Sequence, residues 1–175
     1  MNRKVIVYIA MSLDGYIAAA DENLDFLSLV EQEGEDYGYG EFIKTIDTTI
    51  VGRKTYDKVL SMGYDFPHSD KESYIITRTP RPAIGNIRFY TDDLKTLIRK
   101  LKESEGKNIF VDGGAEIINL LMHDNLIDTF CISIIPTFLG TGIRLFKDGR
   151  PETRLKLIRS DSFQSGLVQL WYEKS

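Results

Sequence analysis

The sequence predicts a single α/β domain over residues 1–175, with a mostly parallel central sheet and an antiparallel C-terminal edge. Three observations carry that prediction. Apolar, β-rich runs alternate with segments of helical period from Lys4 to Ile135. Two of the runs end in glycine turns that open helical patterns. The C-terminal stretch then holds two strand patterns and no helix. Strands alternating with helices favour parallel pairing, and strands joined by a tight turn pair antiparallel.

Each element has its own signal. Lys4–Ala10 is a nearly continuous apolar run rich in Val, Ile and Tyr, and reads as a buried first strand. Asp14-Gly15 breaks it with a turn signal. Residues 18–40 are acidic and irregular, with short helices expected near Asp25–Glu31 and Tyr39–Thr45. Thr48–Val51 reads as a strand, and Arg53–Ser61 as a helix with Tyr56, Val59 and Leu60 on one face. Tyr74–Thr77 is a short strand ended by Arg78-Thr79-Pro80, because proline cannot continue a ladder. Ile87–Tyr90 is another strand. Asp92 is the expected cap of the next helix, where Leu94, Leu97, Ile98 and Leu101 fall at helical spacing. Asn108–Val111 is a strand, Ala115–Met122 a helix, and Ile127–Ile135 a long apolar strand. Pro136–Gly149 is a glycine-rich loop. Leu155–Phe163 and Gly166–Tyr172, joined by Gln164-Ser165, form the hairpin.

Composition narrows the function classes. A hydrophobic share of 42% is that of a globular protein with a real core. The formal charge of −4 and the scattering of Lys and Arg argue against a general nucleic-acid binder. The lone Cys131 excludes an intrachain disulfide and reads as a core residue. His68 and His123 have no metal-ligand spacing with Cys131, so no metal site is expected. The run Val5–Met11 is too short for a signal peptide, and no stretch reaches the ~18 apolar residues of a membrane span, so cytoplasm is the expected location.

The chemistry lies in the glycine turns. Gly52-Arg53-Lys54-Thr55 follows Thr48–Val51, and Gly113-Gly114-Ala115-Glu116 follows Asn108–Asp112. A strand feeding a glycine turn and a helix exposes backbone N–H groups at the positive end of the helix dipole, which suits a phosphate. Two such places, one beside Arg53 and Lys54 with the Thr55 hydroxyl, suit a dinucleotide. The first turn lacks P-loop spacing, and the second lacks the third glycine of the Rossmann fingerprint. Either turn could instead serve only packing. Arg78 after Thr77 could pair with a 2′-phosphate or sit solvated. Among the acids, Asp36, Asp25 and Asp14 are candidates to orient a substrate or pass a proton, although most acids in this region would be solvated or cap helices.

In combination these motifs resemble the dihydrofolate reductase-like superfamily. The closest likeness is to stand-alone relatives of the C-terminal reductase domain of the riboflavin-biosynthesis deaminase-reductase. Its carriers are Ser12-Leu13-Asp14-Gly15-Tyr16-Ile17-Ala18, Gly52–Tyr56, Tyr74–Arg78, Val111–Glu116 and Leu139-Gly140-Thr141-Gly142 with Leu145-Phe146. The resemblance implies a three-layer sandwich and an NADPH-dependent reductase. Gly52, Arg53, Lys54 and Thr55 would meet the cofactor phosphates, Thr77 and Arg78 the 2′-phosphate, and Gly113, Gly114, Ala115 and Glu116 the pyrophosphate. Ala10 and Ile17 would border the nicotinamide, with the loop between them closing over the site. It further implies a homodimer and a ribosylamino-pyrimidine substrate, with dihydrofolate or another pterin as the alternative. A protein that binds NADPH without turnover is a further alternative. The substrate side departs from the pattern: no Leu-Pro-Trp segment precedes Asp36, and Tyr8 and Tyr16 stand where the riboflavin-pathway reductase has basic residues.

Overall fold

The structure is a computed structural model that describes residues 2–175. In chain order the strands are β1 (Val5–Ser12), β2 (Tyr16–Ala18), β3 (Ile46–Gly52), β4 (Glu72–Ile76), β5 (Ile87–Tyr90), β6 (Asn108–Gly113), β7 (Thr129–Ile135), β8 (Ile143–Arg144), β9 (Leu155–Ser162) and β10 (Val168–Lys174). The α-helices are α1 (Tyr39–Lys44), α2 (Arg53–Ser61), α3 (Leu94–Glu103) and α4 (Ala115–His123), and Asp25–Val30 forms a 3-10 helix. Eight strands make one sheet in the order β5-β4-β3-β6-β1-β7-β10-β9. The pairs from β5 through β7 are parallel, and the β9–β10 hairpin runs antiparallel against β7. This is the predicted architecture.

Period-two alternation distributes the strand residues between two helical layers. Val5, Val7, Ile50, Ile109 and Val111 face α3 and α4, packing on Leu94, Leu97, Ile98, Leu101, Ile118 and Leu121. Ile6 and Phe110 face the other way, onto Phe42 of α1. Val51 and Ile75 pack on that same face against Tyr56 of α2. A one-residue slip in any central strand would exchange these partners, so the buried pattern fixes the register.

Three details differ from the sequence reading. First, β1 runs two residues beyond Ala10, because β7 pairs with it as far as Ser12↔Ile135. Second, the cap of α3 is Asp93 rather than Asp92. The helix begins at Leu94, and the Asp93 carboxylate accepts from the Thr96 N–H at 2.8 Å. Third, the loop after β7 contains β8, which pairs with β2 in a separate two-stranded sheet. That pairing folds the segment after β1 back against the late loop.

At the amino ends of the strands, Arg3 is buried. Its guanidinium donates to Asp47 Oδ1 at 2.5 Å, Thr48 Oγ1 at 2.6 Å, the Lys107 carbonyl at 2.6 Å and the Leu101 carbonyl at 3.2 Å. This network ties β3, α3 and the approach to β6 together, opposite the end that carries the glycine turns. No described helix is long and apolar enough to cross a membrane.

Candidate functional site

The two glycine turns meet. A β-carbon placed on Gly52 would lie 3.2 Å from Ile117 Cγ1 and 3.4 Å from the Gly114 nitrogen. One placed on Gly114 would lie 3.1 Å from Thr55 Oγ1. Gly113 has φ of +120°, which disfavours any side chain there. The starts of α2 and α4 are therefore neighbours with bare backbone between them. Neither has a side-chain cap, whereas α3 is capped by Asp93. The first N–H groups of a helix have no intrahelical partner. Two uncapped starts side by side give paired donors for an anion.

Beside these turns the sheet opens. Strands β1 and β6 pair at Val5↔Ile109, Ile6↔Phe110 and Val7↔Val111, and no rung follows. Yet β6 stays paired with β3 to Val51↔Gly113, and β1 with β7 to Ser12↔Ile135. The result is a slot in the middle of the sheet, between Tyr8–Ser12 and Asp112–Gly113. Ala10 stands on its β1 edge, and Ile17 of β2 packs against the main core.

Cations gather near the α2 start. Lys54 and Arg78 are exposed and make no ion pair among the described residues. Arg53 is held by Asp57 at 3.0 Å, and Arg81 donates to both oxygens of Asp57 at 2.9 and 3.2 Å. Arg81 and then Arg53 hold the Asp57 carboxyl below its ordinary value. Thr77 is buried, and its hydroxyl accepts from the Thr79 N–H at 3.2 Å, shaping the turn that carries Arg78. Two uncapped helix starts with cations beside them fit the phosphates of an extended dinucleotide, while the glycines themselves let the two turns approach, since a β-carbon at Gly52 would meet Ile117 and Gly114 and one at Gly114 would meet Thr55.

On the α1 face a cavity of about 390 Å³ adjoins the slot, lined in part by Tyr8, Ala10, Val30, Asp36, Tyr37 and Ser133. The Tyr8 hydroxyl donates to the Tyr37 carbonyl at 2.8 Å, and Gln169 Nε2 donates to Tyr8 Oη and Ser133 Oγ, each at 3.2 Å. Burial pushes the Tyr8 phenol up to about 12. The Asp36 carboxylate accepts from the Gly40 and Gly38 N–H groups, both at 2.9 Å, and these bonds lower its pKa. Asp36 is therefore a carboxylate at neutral pH. The structure thus brings Asp36 and Ala10 to one cavity.

The other two candidate acids do not line it. Asp25 is exposed and accepts from Asn23 Nδ2 at 2.9 Å. Asp14 fastens two loops. It accepts from Ser12 Oγ at 2.6 Å, and from the Leu139 and Gly140 N–H groups at 3.1 and 2.8 Å. The loop between Ala10 and Ile17 is thereby tied to residues 137–140, with Leu13 N–H also bonded to the Thr137 carbonyl at 2.9 Å.

Sequence reasoning missed a pair at the slot. Asp112 directly precedes Gly113, and its Oδ2 lies 3.0 Å from Nε2 of His68. His68 is 2% exposed, with the Phe66 and Phe110 rings edge-on to it at 5.4 and 5.6 Å. The pair sets a carboxylate, hydrogen-bonded to a buried imidazole, directly before the second glycine turn. The partners are 44 positions apart, and only the location of Asp112 next to a glycine turn hinted at a role.

A larger cavity, about 660 Å³, lies on the α4 face, lined by Met122, Phe130, Ile132, Phe146, Leu155 and Leu170 among others. No residue of the two glycine turns lines it.

The profile of the RibD C-terminal domain matches residues 3–169. Two uncharacterised proteins of Bacillus subtilis strain 168 are related along their length. YwjB is 40% identical over 176 residues, covering 100% of both chains. YyaP is 31% identical over 183 residues, covering 98% of this chain and 95% of its own. Among solved structures, a candidate riboflavin biosynthesis protein from Shewanella sp. PV-4 superposes with a TM-score of 0.88 at 29% identity, over 100% of this chain and 99% of that one. The diaminohydroxyphosphoribosylaminopyrimidine deaminase/5-amino-6-(5-phosphoribosylamino)uracil reductase of Thermotoga maritima has a TM-score of 0.74 at 14% identity, over 99% of this chain and 57% of that one. At that identity it shares the fold alone.

Proposed function

Since the chain belongs to the RibD C-terminal domain family, we propose that it is a cytoplasmic, NADPH-dependent reductase of the riboflavin-biosynthesis type, acting on a C=N or C=O bond of a small heterocyclic molecule. The observation that carries this reading is the meeting of two uncapped helix starts beside a slot in the sheet. NADPH, when bound, supplies the hydride.

This chain's residues do the rest. The N–H groups after Gly52 and Gly114 bind the phosphates, with Lys54, Arg53 and the Thr55 hydroxyl beside them. Arg78 meets the 2′-phosphate with a planar pair of donors. Ala10, Ile17 and the Asp14-tied loop bound the ring and exclude water. Asp36 orients the substrate in the smaller cavity. Asp112, held by His68, is a further polar group beside the slot that can position the substrate. Asp14 and Asp25 serve the loops that frame the site.

We further infer a homodimer built on the hairpin face. Leu155, Leu157 and Ile158 of the edge strand β9 are 39%, 50% and 51% exposed, and Leu155 also lines the larger cavity. A second copy would cover an apolar edge of this kind.

Titration with NADPH and NADH tests the reductase reading. Trp171 is the chain's one tryptophan, and its ring lies 5.8 Å from that of Tyr8, so its fluorescence reports on the site. NADPH binds tightly and NADH weakly, and Arg78→Ala removes about ten- to a hundredfold of the difference. Failure of the protein to bind either cofactor would refute the assignment.

A further inference from the structure

The cavity beside Ala10 has the donors and charges of a seat for a non-anionic ligand. That holds if the cavity is the substrate site proposed above. Phosphate recognition needs free donors or unpaired cations. The turn bordering the cavity has spent its donors internally. The Tyr37 N–H donates to Glu35 Oε1 at 2.7 Å, and the Gly38 and Gly40 N–H groups donate to Asp36. The Tyr39 N–H donates to the Asp36 carbonyl at 3.0 Å. Asp36 thus occupies the place where an external anion would find backbone amides.

Most side-chain donors are spent as well, leaving on this wall only the neutral amide of Gln32 and the hydroxyl of Ser133. The Tyr8 hydroxyl is given to the Tyr37 carbonyl, and the Tyr37 hydroxyl bonds the Val30 carbonyl and Ser165 Oγ. Gln169 Nε2 is shared among Tyr8, the Tyr37 carbonyl and Ser133. The ionisable side chains on the wall, apart from the two phenols, are Glu31, Glu35 and Asp36, with no Lys or Arg among the described lining residues. The cations close by are already paired, Lys44 with Glu41 and Arg159 with Asp161. What the wall does offer is acceptors. A carboxylate has about four lone-pair sites, so Asp36 keeps capacity after its two backbone bonds. Around it stand the tyrosine rings and the aliphatic side chains of Leu27, Val30 and Leu167.

We propose that this cavity takes a flat, uncharged or cationic amino-heterocycle, whose ring N–H or amino groups donate to Asp36, and that it rejects phosphate esters. The phosphorylated pyrimidine named for the Thermotoga relative is then not the substrate of this chain.

Calorimetric titration of the NADP⁺-loaded protein tests this with two probes that share one ring. These are 5-amino-6-(5-phosphoribosylamino)uracil and its dephosphorylated nucleoside. The nucleoside is expected to bind about tenfold tighter or more, because like charges face each other across the site in the phosphate ester. Added salt narrows that gap by screening. Glu31→Lys narrows it several-fold; Glu31 has no side-chain hydrogen bond or ion pair among the described residues, so the fold is not at stake. The proposal is overturned if the phosphate ester binds as well as the nucleoside, if the gap ignores both salt and Glu31→Lys, or if the loaded protein binds neither probe. Failure to take up NADP⁺ is a separate result, and it removes the reductase reading together with what rests on it.

Discussion

Replacing Gly114 by Asp should separate folding from cofactor binding. Gly114 has φ of −80° and ψ of −161°, a backbone conformation open to any residue, and it is the N-cap of α4. A new carboxylate there can accept from the first-turn N–H groups of α4, worth a few tenths of a kcal/mol over glycine. Against this, its β-carbon would press on Thr55 Oγ1 at 3.1 Å, so the hydroxyl must give way slightly. The two effects oppose, and stability should change by less than about 1 kcal/mol. Binding changes far more. The carboxylate takes the N–H groups meant for a phosphate and puts a negative charge in their place. Losing one charged hydrogen bond costs about 1.5–3 kcal/mol, and losing the favourable dipole at one helix start costs about 0.3–1 kcal/mol more. The sum of about 2–4 kcal/mol weakens NADPH binding by roughly thirty- to a thousandfold. The assay pairs urea unfolding with Trp171 fluorescence titration, with Gly114→Ala as the uncharged control. A Gly114→Asp protein that melts as the parent does and still binds NADPH with parental affinity would refute the phosphate assignment. A collapse of stability would instead show that the glycine serves packing.

Two further predictions concern the framework. Arg3→Leu leaves Asp47, Thr48 and two carbonyls without their buried partner, and should cost about 3 kcal/mol, read as a fall in the urea midpoint. An unchanged midpoint would contradict the view that this network joins β3 to α3. Asp14 has its carboxyl lowered from the ordinary 3.8, first by the Ser12 hydroxyl and then by the Gly140 and Leu139 N–H groups. Its contribution to loop order is therefore complete above the ordinary value and is lost as pH falls through the lower folded value. The amide proton shifts of Leu139 and Gly140 should titrate together below pH 3.8 and cease to titrate in Asp14→Asn; a midpoint at or above that value would count against the clasp.

The two strand–turn–helix units were legible because their signals are local. A β-rich run, a glycine and a helical period occupy consecutive residues at Thr48–Ser61 and again at Asn108–Met122, so each strand–turn–helix unit can be read in one window. The cap of α3 slipped by one residue because Asp92 and Asp93 are adjacent and chemically identical, and only the helix start at Leu94 chooses between them. The wall of the smaller cavity and the His68–Asp112 pair were less legible because their groups meet across the chain. His68 finds Asp112 from 44 residues away, and Gln169 reaches Tyr8 from 161. No periodicity foretells such meetings. Asp36 was a candidate from the sequence, but its contacts were hidden for another reason: its partners are the N–H groups of Gly38 and Gly40, which every sequence possesses.

The early end of the β1–β6 ladder divides eight strands into two quartets stitched by only three rungs. A ring lodged in that seam is edged on both sides by peptide backbone, which is the same for every sequence. Mutation along the two strands can therefore rewrite the faces without erasing the seat. The cavity on the α1 side is lined instead by side chains such as Asp36 and Tyr37, which lie on a separate stretch of chain. Inheritance can conserve one half of the site while replacing the other, and relatives that share the seam need not share a reaction.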